Sequence, residues 1–524
     1  MRLLARILDQ RGDCPALDLD GRRRSYAELI DSAFALAGLV DELEMGSGLV
    51  GILAHKSFSA YVAVLASHLS GRGYVPLNVK FPAGRLASML HQSGVRVVVV
   101  GKEGLEVLKS LLDAIGDGAA FTLVAAEPGG FGGLEGAYPA HRFVGSRSAG
   151  GNPSLPRPLR PEATAYLLFT SGSTGQPKGV PVSFANLEAY ASHVAASFPL
   201  VPGDRASQTF DMTFDLSVHD IFATWSAGAC LCPVGDATLV NPAKFIRDRQ
   251  LTAWFSVPSV AMFMARGNSL RAGAFPRLRL SLFCGEPLPV ATAEAWSKAA
   301  PGSRLINLYG PTEATVAIAE YEWPAERRPN ASRNGLVPIG RVFPSQRHCL
   351  LGDGGRVLTG PGRGELCLSG TQVTEGYLNA PEKTAAQFVQ LSPAMADRWY
   401  RTGDLVERGG DGVLHFIGRI DHQVKVNGYR VELGEVESTL RDASGCDGVA
   451  AVPWPAANGA ASGLVAFILG EKRDEAALFA ACRRVLPDYM VPSRILWRDS
   501  LPLNANGKVD RRALAGELDR QPAS

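Results

Sequence analysis

The stretch Leu168-Phe-Thr-Ser-Gly-Ser-Thr-Gly-Gln-Pro-Lys178-Gly-Val runs from apolar residues into hydroxyls and glycines and then supplies a lysine. Glycines let the backbone approach an anion closely, amides and hydroxyls donate to it, and the lysine neutralises it. The residues that fit this task are Thr170, Ser171, Gly172, Ser173, Thr174, Gly175 and Lys178. The pattern implies a nucleoside triphosphate. It is not a Walker A loop, because Pro177 stands where that motif needs glycine. Three other stretches carry chemistry. Asn307-Leu-Tyr-Gly-Pro-Thr-Glu313 puts a hydroxyl and a carboxylate directly after an apolar run. Tyr400-Arg-Thr-Gly-Asp404 places a carboxylate in a glycine turn, and Asn506-Gly-Lys508 puts a lysine at or beside a tight turn. Asp215 precedes Leu216-Ser-Val-His, which has helical spacing, so it reads either as a helix cap or as a buried carboxylate. The second role demands a cationic partner, because an unpaired buried carboxylate is costly.

These groups need a scaffold. Short apolar runs at 49–53, 95–100, 165–170, 252–257, 280–284 and 305–309 read as buried strands. Several are followed by helix-patterned segments such as 185–196, and that alternation implies α/β units with mostly parallel sheets. Residues 128–161, rich in Gly, Pro, Ser and Arg, read as a long surface connection. The character changes after Gly418, where short strands and two helical segments suffice for a small α+β domain. The expected division is residues 1–417 and 418–524, with no internal repeat.

Composition closes off other classes. The chain has 524 residues, 46% of them hydrophobic, and a net charge of +2. Such a chain is globular, long enough for more than one domain, and lacks the concentrated basic charge that a nucleic-acid or membrane partner requires. The eight cysteines show no metal-ligand spacing; Cys230 and Cys232 alternate as strand residues and read as packing. The start lacks a signal peptide, and no apolar run approaches the roughly 18 residues of a membrane span. The expected compartment is the reducing cytoplasm.

The loop resembles the signature of the adenylate-forming superfamily: acyl-CoA synthetases, luciferase-like enzymes and the adenylation domains of nonribosomal peptide synthetases. Further blocks match in order: Gly73-Tyr-Val-Pro-Leu-Asn, Phe214-Asp-Leu-Ser-Val-His-Asp, Asn307-Leu-Tyr-Gly-Pro-Thr-Glu, Gly364-Glu-Leu-Cys, Tyr400-Arg-Thr-Gly-Asp, the run from Gly418 to Arg430, and Leu501-Pro-Leu-Asn-Ala-Asn-Gly-Lys. The resemblance is strongest to amino-acid adenylation domains. It implies a large N-terminal domain of mostly parallel sheets flanked by helices, with a small mobile α+β C-terminal domain. It further implies ATP and Mg²⁺. Thr312 would contact the α-phosphate, Glu313 would hold the metal, and Asn307, Tyr309 and Gly310 would surround adenine. Asp404, assisted by Arg419, would take the ribose. Lys508 would be the catalytic lysine, and Asp421 the hinge about which the C-terminal domain turns to bring Gly428 toward a thiol. After Lys178-Gly-Val many relatives carry a histidine, whereas this chain has Pro181-Val-Ser-Phe-Ala-Asn186.

The same resemblance places Asp215, Leu216, His219, Ser256, Leu282, Cys284, Leu308, Val316, Ala317 and Lys508 around the amino acid. Asp215 would pair with its α-ammonium and Lys508 with its carboxylate. The other eight include no Asp, Glu, Lys or Arg, which disfavours a charged substrate side chain. Leu282 and Leu308 disfavour an aromatic one. The expectation is a small neutral amino acid: alanine first, then proline, glycine or serine. His219 and Ser256 are the residues that could instead bond a polar side chain. The expectation is an enzyme without an accompanying carrier or condensation domain. The expected activity is therefore that of a freestanding amino-acid–carrier protein ligase of nonribosomal peptide synthesis or related secondary metabolism, passing an aminoacyl group to a phosphopantetheine thiol in trans. The alternatives are an acyl- or aryl-CoA ligase, a proline-activating ligase, and a nucleotide-binding scaffold without catalysis.

Overall fold

Val97–Val100 is four consecutive valines, all buried. β-branched side chains covered on both faces belong to the interior of a parallel sheet. Here they lie in a sheet whose strand order is Arg142–Val144, Thr122–Ala125, Val97–Val100, Leu49–Leu53, Gly73–Leu77, Thr164–Thr170 and Lys178–Ser183. All neighbours in it are parallel except the last pair, an antiparallel hairpin. The computed structural model describes the chain apart from residues 1, 11, 44–46, 147–155, 172–176, 236, 237, 239, 325–333, 392–394, 396, 422, 458, 459, 503–508 and 521–524.

A second large sheet centres on the parallel strands Arg304–Tyr309, Leu280–Phe283, Ala253–Ser256, Arg205–Gln208, Cys230–Pro233 and Pro15–Leu19. Antiparallel strands flank it at both ends, Ala319–Trp323 on one side and Arg22–Ser25 on the other. Helices cover both sheets. Phe184–Ser197 starts on a reciprocal cap in which Ser183 and Asn186 bond each other's backbone. A third, antiparallel sheet runs from Gln346–Leu351 to Leu414–Arg419.

The six apolar runs expected to be strands are strands, with ends shifted by one or two residues. The 128–161 connection differs from expectation. It contains the short helix Leu134–Ala137 and the strand Arg142–Val144, which extends the first sheet in parallel. Phe143 and Phe131, packed edge to face at 5.0 Å, supply the apolar anchor. Cys230 and Cys232 are buried strand residues, as their alternation indicated.

From Gln423 onward the chain forms its own cores. Val426, Val431, Leu433, Val436 and Leu440 pack with Val449, Ala466, Leu478 and Met490. Two small sheets carry them. One holds the hairpin formed by Gln423–Val426 and Tyr429–Glu432, called the docking hairpin below; the other is Val449–Pro453, Leu464–Leu469 and Arg494–Arg498. Asp421 lies between the last strand of the third sheet, which ends at Arg419, and this hairpin. Among the described residues no helix is long and apolar enough to cross a membrane.

Candidate active site

Ligands of open α/β sheets bind beyond the carboxyl ends of the strands. A cavity of about 250 Å³ lies there. Thr170 and Ser171 meet it at the end of the first sheet's strand Thr164–Thr170, while Cys284 and Asn307 through Thr312 meet it from the second sheet. The third sheet brings Asp404 and Arg419, and the docking hairpin closes it with Lys425, Tyr429 and Arg430.

At the phosphate end, Thr170 pairs with Lys178 across the hairpin, so the loop between them is anchored at both ends. The Thr170 hydroxyl is buried without a hydrogen-bond partner, as a donor awaiting an anion would be. Lys178 is held over the Tyr377 ring at 5.3 Å and against Glu432 at 3.5 Å. Burial, and then Arg430, lower its pKa. Gly172, Ser173, Thr174, Gly175 and Lys508 lie outside the described residues.

Thr312 and Glu313 follow the strand Arg304–Tyr309 in a 3-10 turn. Two left-handed residues come next, Thr315 (φ 57°) and Val316 (φ 69°). A β-branched residue at positive φ is a strained backbone that surrounding structure must hold. Gln372 does so, donating to the Ala317 carbonyl at 2.8 Å, while the Thr315 hydroxyl donates to the Gln372 carbonyl at 2.6 Å. Gly310 has no room for a side chain, since a Cβ there would sit 2.5 Å from the Cα of Ala317. Glu313 is fully buried. Tyr377 donates to it at 2.7 Å, and Arg430 reaches both its oxygens at 3.0 and 2.9 Å. Burial alone would raise its pKa, but Arg430 and then Lys178 outweigh burial and hold it at about 2. A single permanently ionised carboxylate beside a phosphate site suits Mg²⁺, which is held by one or two carboxylates plus substrate phosphates. An all-protein cage is absent, as no cluster of three or more acidic, His or Cys ligands occurs among the described residues.

The part of the cavity holding Asn307, Tyr309 and Asp404 is equally ordered. Asn307 donates to the Pro338 carbonyl at 2.8 Å, leaving its buried side-chain oxygen free to accept an amino hydrogen. The Tyr309 hydroxyl donates to one oxygen of Asp404, and Arg419 donates to the other at 2.7 Å. Arg419 also grips Asp421 through two bonds of 2.6 and 2.5 Å. Thr402 shapes the turn, receiving the Asp404 amide at 3.0 Å and donating to the Leu366 carbonyl at 2.8 Å.

Asp215 stands at the helix start Leu216–Ser226 but makes no side-chain cap bond. It is 4% exposed and lines the cavity. Burial pushes its pKa up to about 6, against the opposing pull of the Thr312 hydroxyl and the Lys425 charge. Leu216, Cys284 and Leu308 line the cavity beside it. His219, Ser256, Leu282, Val316 and Ala317 are buried but do not line it. His219 accepts or donates through Nδ1 to the Tyr190 hydroxyl at 2.7 Å, and burial lowers its pKa to about 3, so it stays neutral. Ser256 donates to the Val257 carbonyl at 3.1 Å and receives the Trp254 indole at 3.0 Å. Both polar residues are thus bonded within the wall.

The docking hairpin carries Gly428 and also supplies residues to which the sequence assigned no role, among them Lys425, Tyr429 and Arg430. Gly428 (φ 83°) sits where a Cβ would lie 2.4 Å from Val257, so only glycine allows this approach. Tyr429 packs on Phe214 at 5.6 Å and stacks on Tyr489 at 4.0 Å. Arg430 and Lys425 belong to the matching run from Gly418 to Arg430. The signal for them was present, as basic residues in an otherwise strand-like hairpin, but their targets lie more than one hundred residues away in sequence.

Comparison with known proteins fixes the class. The AMP-binding enzyme family matches residues 4–378, and the chain belongs to that family. It is an ATP-dependent, AMP-forming ligase. At the level of particular relatives, it is 31% identical over 515 residues to the D-alanine–D-alanyl carrier protein ligase of Lacticaseibacillus rhamnosus, covering 96% of both chains. It is 32% identical to part of surfactin synthase subunit 1 of Bacillus subtilis, covering 98% of this chain and only 13% of that synthase. Among solved structures, the adenylation domain AlmE of Vibrio cholerae, in complex with glycyl-adenosine-5'-phosphate, superposes with a TM-score of 0.90. AlmE shares 35% identity over 99% of this chain and 97% of its own.

Proposed function

We propose that this enzyme activates a small neutral amino acid, glycine or alanine, as its aminoacyl-AMP and transfers the aminoacyl group to the phosphopantetheine thiol of a carrier protein. The observation that carries the reading is Asp215: a buried, uncapped carboxylate on the cavity wall, placed to meet an α-ammonium. The acyl- and aryl-CoA alternatives have no cation to put there. The size limit follows from the wall. Leu216, Cys284 and Leu308 line the cavity near Asp215, and their bulk favours a small apolar side chain over a large one. The internal bonds of His219 and Ser256 argue against a polar side chain. The carrier-protein ligases and the glycyl-adenylate complex among the relatives support the same reading.

Activation brings two anions together, so the protein's task is neutralisation and positioning rather than proton removal. The substrate carboxylate is already ionised at neutral pH. Asp215 orients the amino group, and Thr312 and Lys178 hold the phosphates. Glu313 would hold Mg²⁺, which supplies charge neutralisation on the phosphates when bound. Asp404 and Arg419 fix the ribose, and Tyr309 and Asn307 fix the base. Lys508 would bridge the carboxylate and the α-phosphate as charge builds in the transition state. Residues 1–417 form the activating domain in this reading. Residues 418–524 turn about Asp421, carrying Lys508 away and presenting Gly428 to the thiol. The close approach of Gly428 to Val257 supports this reading.

The test is amino-acid-dependent exchange of labelled pyrophosphate into ATP over a full substrate panel. Glycine and alanine are expected to give the highest rates. Highest exchange with phenylalanine, glutamate or lysine would falsify the pocket assignment, and no exchange with any amino acid would remove the activity.

A further inference from the structure

Three residues after the strand Leu280–Phe283 lead from the amino-acid end of the cavity to the docking hairpin. Cys284 feels the Asp215 charge, Gly285 lies against Leu216 and Phe214, and Glu286 meets the Gly428 amide. All three line the cavity. Glu286 is 7% exposed. Its Oε2 receives the Ser259 amide at 2.8 Å, in the first turn of the helix Pro258–Arg266. Its other oxygen, Oε1, is buried without a hydrogen-bond partner. A carboxylate that only capped the helix would gain nothing by keeping its second oxygen there, because a buried unsatisfied oxygen costs free energy. We propose that Glu286 is the proton acceptor for the incoming thiol, a catalytic base for aminoacyl transfer that stands apart from the nucleotide site. The proposal rests on the reading in which Gly428 meets the thiol, and adds the base that this step uses.

A thiol attacks as its thiolate, yet an alkyl thiol is mostly protonated at neutral pH. In the proposed step the sulfur bonds to the aminoacyl carbonyl carbon while its proton passes to Glu286 Oε1. The bond from that carbon to the phosphate oxygen breaks, and its electron pair leaves with AMP. Glu286 is then neutral, and it returns the proton to water once the products have left. Activation has no use for such a group, since attack by a carboxylate releases no proton. A base is therefore expected on the thiol's side of the cavity, where Glu286 stands, and not beside the phosphate loop. A base works best when its pKa approaches the working pH. Burial raises that of Glu286, and the Ser259 amide and hydroxyl, the Gly428 amide and the Lys425 charge on the docking hairpin only partly oppose it.

The test follows transfer in the full-length enzyme from supplied aminoacyl-AMP, made with whichever amino acid exchanges fastest, to thiols of different acidity. In wild type, the rate with pantetheine should change by less than about threefold between about pH 7 and 8.5, because the carboxylate takes the proton at every pH in that range. The range lies above the Asp215 transition at about 6. Glu286→Gln, which can still accept from Ser259, should slow transfer to pantetheine roughly 100-fold. Its rate should then follow the thiolate fraction, rising about tenfold per pH unit. With trifluoroethanethiol, a small thiol that ionises readily, the variant should come within about threefold of wild type, because no base is needed. A loss equal for both thiols, or absent for both, refutes the base and leaves the carrier-transfer reading standing. A wild-type rate that already climbs about tenfold per pH unit does the same without any variant. If wild type exchanges pyrophosphate yet forms no thioester with either thiol, the transfer reading fails and takes the base with it.

Discussion

At the nucleotide end of the cavity, Asp404, Arg419, Tyr309, Lys178 and Glu313 are each fixed by a charged or hydrogen-bonded neighbour. Around Asp215 the cavity wall is largely apolar, with Leu216, Cys284 and Leu308, and Thr312 and the Lys425 charge only partly offset its burial. The first end is organised by pairwise chemistry, where a buried charge dictates its partner. The second is organised more by shape, and the Asp215 charge stays costly until a substrate arrives. Nucleotide recognition should therefore fail when a bond is cut, and amino-acid recognition should change when a volume is changed.

The largest effect is expected from the Asp215 charge. Asp215→Ala leaves an incoming ammonium unpaired, and breaking a buried pair costs about 3–5 kcal/mol. Exchange kcat/KM should fall by roughly a thousandfold or more. A loss below tenfold would place the ammonium elsewhere.

Asp215 also has a cost that the substrate-free protein carries. Its folded pKa of about 6 lies above the ordinary 3.8, so the folded state holds its proton more tightly than the unfolded chain. Stability is therefore lost as pH rises from 3.8 through 6, and the full penalty stands above pH 6. The difference corresponds to about 3 kcal/mol at most. In urea melts at pH 8 the Asp215→Asn protein should be more stable than wild type. The gap should narrow to about half as pH falls to 5 and close below pH 3.8, and it should also close when glycine or alanine saturates the wild type. Equal stabilities at pH 8 would contradict a desolvated Asp215.

Asp404→Asn keeps the shape but removes a charge that accepts from both Tyr309 and Arg419. Charge-assisted bonds contribute about 1.5–3 kcal/mol, so exchange at subsaturating ATP should drop roughly 10–100-fold. The amino-acid preference should remain unchanged; a changed preference would mean that the two ends are not separate. The smallest effect is expected at Leu308. Trimming it to alanine should move the preference toward valine or leucine by about 1–3 kcal/mol relative to glycine. An unaltered panel would show that the wall lies elsewhere.

The two ends were also unequally legible in the sequence. The strands carrying the site were readable because valine- and leucine-rich runs of strand length buried on both faces have few other homes. Asp404, Arg419, Glu313 and the loop anchored by Thr170 and Lys178 were readable because hydroxyls, glycines and charges concentrated at strand ends are expensive unless used. His219, Ser256, Leu282, Val316 and Ala317 were named as pocket residues; the structure buries them, and they are not among the residues lining the cavity. Which face of a packed strand or helix meets a cavity depends on tertiary packing at ångström scale, and residue type does not encode it. The strand Arg142–Val144 was missed within a Gly- and Pro-rich stretch because three residues give no periodicity. Arg430 was visible as the last residue of a matching run and Glu432 was not singled out; their contacts appear only once folding brings them onto Glu313 and Lys178.

Arg419 has one positive charge and two carboxylates to satisfy, Asp404 on one side and Asp421 on the other. The first is the proposed seat of the ribose and the second the proposed pivot. A nucleoside that draws Asp404 into bonds with its hydroxyls leaves more of the guanidinium to Asp421; one that departs takes that share back. Free-energy linkage makes the exchange reciprocal. Whatever factor the sugar contributes to the tightness of the pivot, the angle of the pivot must return to the affinity for the sugar. A single arginine thus lets the adenylate register its own presence at the joint that decides when it will be consumed.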